Sequence, residues 1–270
     1  MSEEARGLEE EKGEWEREIL ETAMEAGHIL LENGAEIFRV EETIDRICRH
    51  YGVDFANAFV LSNGILMTAG NVREQYFAKV QHIPVSGAHL DRVAAVNQLS
   101  REIEAGRYTV EQARQILKEI QNMPGKTKFM QILASGIGSG CFCYLFGGSL
   151  ADCGVAFTAG FLLYIFVLFV SGPRLSKIVG NIAGGFLVTF LCTILYHLHI
   201  GEHLNYMIIG SIIPLVPGVP FTNAIRDIAD GDYISGSVRM LDALLVFFCI
   251  ALGVGLMFTV YSRVTGGAIL

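Results

Sequence analysis

Charge is what this chain runs out of. Residues 1–128 hold 15 of the 20 Lys and Arg and 22 of the 28 Asp and Glu, leaving 5 and 6 for the rest. A second half so poor in charge faces a different solvent from the first. Other absences narrow the function classes. The six cysteines form neither a disulfide framework nor a zinc set, because five lie in apolar runs and Cys141-x-Cys143 is closer than ligand spacing. There is no P-loop and no dinucleotide fingerprint, so no cofactor is expected, and no nucleic acid is expected as a partner. The start is acidic (Glu3, Glu4, Glu9, Glu10, Glu11, Glu14, Glu16, Glu18) and lacks the apolar core of a leader. The N-terminus is therefore expected in the cytoplasm.

What the second half has instead is apolar length. A bilayer interior of about 30 Å takes about 20 apolar residues as a helix, since backbone polar groups find no partner in lipid. Five stretches approach this: 129–150, 154–170, 178–197, 204–219 and 241–261, with Asp242 the one charge inside them. Basic residues set the direction. With the N-terminus inside, Lys126, Lys128, Arg174, Lys177, Arg226 and Arg239 stay inside and only Arg263 falls outside. The fourth stretch is broken by Pro214, Pro217 and Pro220, so a re-entrant segment is the alternative. Gly136-x-x-x-Gly140 and Gly180-x-x-x-Gly184 predict close helix approach, within this chain or against another subunit.

In the first half, Ile19, Ala23, Ala26 and Leu30 form one helical stripe and Ile37, Val40, Ile44, Ile47 and Tyr51 a second, separated by Gly34. Val53 and Phe55, then Tyr76, Ala78 and Val80, alternate as strands, with Asn63-Gly64 as a hairpin turn. Two closing helices carry Leu90, Val93, Leu99, Ile103 and then Val110, Ala113, Leu117, Ile120, the last capped by Thr109 with Gln112. Pro124-Gly125 ends the domain. The expectation is an α-helical polytopic membrane protein of about five transmembrane helices with an N-terminal cytoplasmic α+β domain. Residues 1–14 form an acidic tail or solvated helix face, 15–125 the α+β domain and 126–270 the membrane domain. Ser62, Thr68, His82, Ser86 and His89 show no catalytic spacing, and Glu36, Arg39, Glu41 and Glu42 read as an exposed helix surface.

The run from His28 to Ile44 (HILLENGAEIFRVEETI) resembles the opening signature of the bacterial threonine/serine exporter family. The segment from Pro214 to Ile228 (PLVPGVPFTNAIRDI), continuing through Gly231-Asp232 to Arg239, resembles the same family's membrane signature. The resemblance implies a cytoplasmic domain followed by membrane helices that export small polar metabolites, threonine/serine-like amino acids or dicarboxylates such as succinate. Long members carry a second, smaller membrane unit. This chain ends at Leu270, which implies the split form completed by a small membrane protein, in a homo- or hetero-oligomer in the bacterial inner membrane.

Physically, prolines spaced by three free several backbone groups, which survive at membrane depth only beside protein or a water-filled cavity. Thr222 or Asn223 is then expected to cap a new helix whose N-terminus faces a substrate carboxylate, with Arg226 as its partner. The candidate substrate residues are Pro217, Gly218, Pro220, Thr222, Asn223 and Arg226, and Asp227 and Asp230 are the candidates for proton coupling. The plainer alternative makes this a cytoplasmic loop, with Arg226 and Arg239 setting topology and the aspartates solvated. His197, His199, Glu202 and His203 end the third stretch, either as interfacial residues or as a metal or proton site. Two other functions stay open: a membrane-anchored hydrolase in the N-terminal domain, and a scaffold or sensor that transports nothing.

Overall fold

The two N-terminal stripes become helices α1 (Glu3–Glu32) and α2 (Ile37–His50), and Ile19, Ala23, Ala26, Leu30, Val40, Ile44 and Ile47 are all buried. In this computed structural model, residues 3–53, 55–70, 75–84 and 87–265 are described; Ser86 lies outside them, as do the side chains of 3–12 and Tyr76. Gly34, at φ 81°, lets the chain leave α1 in the left-handed region that side chains avoid. Strands β1 (Ala56–Leu61), β2 (Gly64–Gly70) and β3 (Gln75–His82) make one small antiparallel sheet in the order β1-β2-β3. Helices α3 (Leu90–Glu104) and α4 (Val110–Gln121) follow. Thr109 caps α4 reciprocally: Thr109 Oγ1 accepts from Gln112 N at 3.4 Å, and Gln112 Oε1 accepts from Thr109 N at 3.0 Å.

Two details of the sheet differ from expectation. Leu61 pairs with Gly64, so the hairpin turn is Ser62-Asn63, and Gly64 opens β2. A Cβ at Gly64 would stand 3.0 Å from Gln81 O on β3, which accounts for glycine there without a turn. The core face of β3 is also the other one. Ile65, Met67 and Ala69 of β2 face inward, and the register Ala69↔Phe77 and Leu66↔Val80 therefore buries Phe77 and leaves Val80 exposed.

Beyond Gly125 the elements are α5 (Lys128–Leu145), α6 (Leu150–Phe166) continued by a π turn (Val167–Ser171), a short turn α7 (Gly172–Arg174), α8 (Lys177–His197), α9 (Leu204–Ile212), a 3-10 turn (Ile213–Leu215), α10 (Gly218–Ala229) and α11 (Tyr233–Thr265). The first apolar stretch ends five residues earlier than expected. Gly147 at φ 105° turns the chain, and Ser149 and Asp152 form a capping box that starts α6. Among the described residues, three helices are long and apolar enough to cross a membrane, Leu150–Ser171, Lys177–His197 and Tyr233–Thr265, or up to four if the broken pair Leu204–Leu215 and Gly218–Ala229 counts as one span. The protein is thus a mostly helical, multi-pass membrane protein. Helix α5, 18 residues and about 27 Å long, falls short in hydropathy through Lys128, Gln131 and its Gly-Ser run.

Contacts divide the chain into two units, Met1–Pro124 with Val219–Met240, and Gly125–Gly218 with Leu241–Leu270. The sequence assigns all of 126–270 to the membrane; residues 219–240 instead pack with the N-terminal elements. In the second unit the glycines bring helices together within this chain. Gly136 and Gly140 lie against Phe157 and Cys153 O of α6, while Gly160 lies against Ser135 and Ser139 of α5. Ser135 Oγ donates to Gly160 O at 2.9 Å, a bond that replaces water for a hydroxyl in the membrane interior. Gly210 meets the Cys143 backbone, and Gly185 and Gly253 seat α8 and α11 against each other.

A Cβ at Gly253 would stand 2.1 Å from Ile182 O, a backbone atom that cannot swing aside, whereas Gly255 has nothing within 4 Å. Gly253→Ala is expected to cost about 1–3 kcal/mol, read as a lower thermal midpoint of the detergent-solubilised chain. Gly255→Ala should leave the midpoint in place or raise it slightly.

Candidate functional site

Helix α2 begins without a cap of its own. Its N-cap residue is Glu36, whose side chain bonds no N–H of the first turn. The cap comes from 190 residues away: Asp227 Oδ1, on α10, accepts from Ile37 N at 3.0 Å. An anion at a helix N-terminus satisfies an otherwise orphaned N–H and meets the positive end of the helix dipole. Three residues before Ile37, Gly34 O accepts from Asn223 Nδ2 at 2.7 Å. Both signature segments, 28–44 and 214–239, therefore contribute to one joint inside the first unit.

The joint is electrostatic. Glu36, 7% exposed at its side chain, accepts from Arg226 at Oε1 and from Arg39 at Oε2. Burial pushes the Glu36 carboxyl up, but the hydrogen bonds and charges of Arg226 and Arg39 outweigh it and hold the group below its ordinary 4.5. The expected exposed helix surface is thus partly buried. Glu41 is half-buried too and accepts from Val60 N at 3.0 Å; burial raises its carboxyl, the Val60 N–H opposes this, and the Asp232 charge adds to the rise. Asp227, fully buried, accepts from Arg239 Nη1 at 2.8 Å. The other terminal nitrogen of Arg239, Nη2, is buried with no hydrogen-bond partner among the described residues.

The candidate residues of the Pro-rich stretch separate by role. Helix α10 starts at Gly218, so Thr222 and Asn223 sit inside it and neither caps it. The reason is local: Pro220 falls in the first turn, where its missing N–H would have had no partner, so the helix forms through the proline. Asn223 reaches the backbone of Gly34, Asp227 is fully buried, and Asp230 is exposed. Arg226 is 57% exposed at its side chain, which leaves guanidinium N–H groups open to water on the far side from Glu36. Pro217 precedes α10, Gly218 is its first residue, and Pro220 is exposed.

The second unit holds a buried carboxylate that the sequence reading passed over. Asp152 accepts from Ser149 N at 2.9 Å, Glu202 N at 2.7 Å and His203 N at 3.0 Å, and His203 Nδ1 lies 2.9 Å away. The signal was present as Ser149-x-x-Asp152 between two apolar runs, a capping box around the one acidic residue there. His197 goes elsewhere, stacking on Tyr261 with Nε2 2.5 Å from its hydroxyl. His197, His199 and Glu202 border one cavity while His203 turns to Asp152, and among the described residues no three His, Cys, Asp or Glu side chains are placed to hold a metal ion.

With this geometry in view, comparison with known proteins gives a family. The family model described as "Putative threonine/serine exporter" matches residues 21–261. The chain belongs to the threonine/serine exporter family. Its relatives include the "Threonine/serine exporter" of Corynebacterium glutamicum, 25% identical over 88% of this chain and 50% of that protein. "Pheromone-regulated membrane protein 10" of Debaryomyces hansenii is 23% identical over 87% of this chain and 24% of its own length. "Probable succinate transporter subunit YjjP" of Escherichia coli is 23% identical over 92% of this chain and 97% of its own length. The chain thus spans half the length of the first of these relatives, about a quarter of the second and nearly all of the third. No solved structure matches.

Two measurements check the joint. Asp227→Ala uncaps α2 and leaves Arg239 buried without its anion, so unfolding should become easier by about 3–5 kcal/mol. Adding Arg239→Leu should recover part of that loss, a coupling visible in the double-mutant cycle. For Glu36 the folded value is depressed, so its contribution is present above about pH 4.5 and is lost as pH falls through the folded value. The thermal midpoint of wild type should exceed that of Glu36→Gln at neutral pH and converge on it in acid below that point.

Proposed function

We propose that this chain is the larger subunit of a secondary exporter that moves small carboxylate-bearing metabolites, threonine/serine-like amino acids or dicarboxylates such as succinate, out of the cytoplasm. It lies in the bacterial inner membrane with five spans and a cytoplasmic N-terminus, and a smaller membrane protein of the same family completes the pathway. Support comes from family membership and from near full-length correspondence with a relative named as a succinate transporter subunit.

The observation that carries the reading is Arg226, a guanidinium paired to one buried carboxylate yet more than half exposed. A planar guanidinium takes a carboxylate through two parallel N–H bonds, so a substrate carboxylate can replace Glu36 on it. Asn223 and Thr222 lie about one turn from Arg226 on α10, Gly218 and Pro220 form the first turn of that helix, and Pro217 lies in the irregular segment just before it. Asp227, on the same helix, and Asp230, just past its end at Ala229, link the site to the proton gradient that drives export. Exchange of Glu36 for substrate on Arg226 ties occupancy to the Gly34–Ile37 turn.

The test is efflux of preloaded threonine, serine and succinate from cells expressing the chain with and without its small membrane partner. Efflux should need both proteins and fall by about 10- to 100-fold in Arg226→Ala, the value of one charge-assisted contact. Arg226→Ala also unpairs Glu36, so the Glu36→Gln/Arg226→Gln pair, which removes both charges together, serves as the folded control and should be equally inactive. Full efflux in that control, or in the absence of any partner, counts against the reading.

A further inference from the structure

The second unit contains three carboxylates, Asp152, Glu202 and Asp242. Asp242 is half exposed and paired with Lys177 at 2.5 Å, and Asp152 alone is fully buried. A charge buried in a membrane helix is expensive and is kept where it serves a function. Asp152 lies at the end of the unit reached by the C-terminus of α5, about 27 Å along that helix from its start near Gly125.

The partners of Asp152 define what it does. Three of its four donors are the backbone amides of Ser149, Glu202 and His203, which do not titrate; the fourth is the His203 imidazole. With Nδ1 directed at the carboxylate, the neutral ring carries its proton there, and Nε2 is left to take a second one. The ring is half exposed, so Nε2 is open to the water at that end. Protonation turns the pair from a net negative charge into a neutral ion pair.

The loop is built around this contact. Gly201 passes so close that a Cβ would stand 3.0 Å from Asp152 Oδ1 and 2.3 Å from Met207 Sδ, and His199 sits at φ 58°. On the elements packed round His203, the other titratable groups towards that end are Tyr206 on α9, Glu202 and His199 on the loop, Cys192, Tyr196 and His197 on α8, Cys143 and Tyr144 on α5, and Cys153 on α6. Tyr206 lies ring to ring at 5.5 Å, and among the described residues the imidazole hydrogen-bonds none of these groups. Because His203 is the N-cap residue of α9, the proton on His203 acts at the start of the helix that leads to the Pro-broken segment.

We propose that His203, oriented by Asp152, is a proton-binding site at this end of the membrane unit, separate from Asp227 and Asp230, and that the proton driving export enters through it. The inference rests on the proton-driven reading above. It is tested with the full chain and its partner in proteoliposomes, using whichever of threonine, serine and succinate the wild type moves. His203→Gln should lower transport driven by an imposed pH gradient by about tenfold or more and flatten its dependence on that gradient, while substrate exchange at equal pH on both sides persists. Loss of both activities would mean that His203 only holds the loop, and retention of both that it carries no coupling proton; either outcome overturns the proposal. If the wild type moves none of the three, the exporter reading fails first. The proton site is then decided by nitrogen NMR of histidine-labelled full chain, with His203→Gln assigning the signal. An imidazole protonated on Nδ1 when neutral that takes up a second proton on Nε2 as the pH is lowered upholds it, and any other behaviour overturns it.

Discussion

The first unit depends on one carboxylate. Asp227 closes the N-terminus of α2, to which it is bound by neither chain proximity nor a shared element, and it holds the buried guanidinium of Arg239. Removing it leaves an N–H, a buried cation and a helix dipole without an answering charge at once. Glu36 could have capped α2 itself, but its carboxylate is turned away to two arginines. The cap is therefore supplied by the segment whose docking it secures, so helix start and docking are formed or lost together.

Membrane packing follows a different rule. Where every neighbour is apolar, burial gives little preference for one arrangement over another, and close backbone approach does the specifying. Gly160 with Ser139, Gly185 with Ile250 O and Gly253 with Ile182 O are contacts a single methyl group would forbid. Charge enters this unit sparingly, and where it is buried, at Asp152, it is surrounded by donors from two separate turns.

Local features were legible in the sequence because local physics makes them. The Gly34 break, the Thr109-Gln112 cap, the apolar length of α6, α8 and α11, and the signature segments can each be read within a window of a few turns. The β3 face was not legible, since alternation of Tyr76, Ala78 and Val80 is as regular as that of its neighbours and only pairing with β2 chooses between them. Nor was the meeting of Glu36 with Arg226, 190 residues apart, because a charged residue on a helix looks the same exposed or paired. Asp152 was hidden in another way: it lay between two apolar stretches, in what the sequence showed as a loop, although its serine three residues earlier announced a helix start.

The two arginines of the joint show why proximity to the Pro-rich break does not by itself name a ligand group. Arg239 and Arg226 both answer a buried carboxylate, yet Arg239 is 10% exposed and Arg226 57%. Exchanging the partner of a buried guanidinium requires its anion to be stripped without water to replace it, a step costing several kcal/mol. At Arg226 water can occupy the vacated N–H groups throughout, so one carboxylate can succeed another without a bare charge in between. In the proposed exporter, exposure of the cation, more than its distance from the break, is what would suit Arg226 to a carboxylate that must arrive and leave.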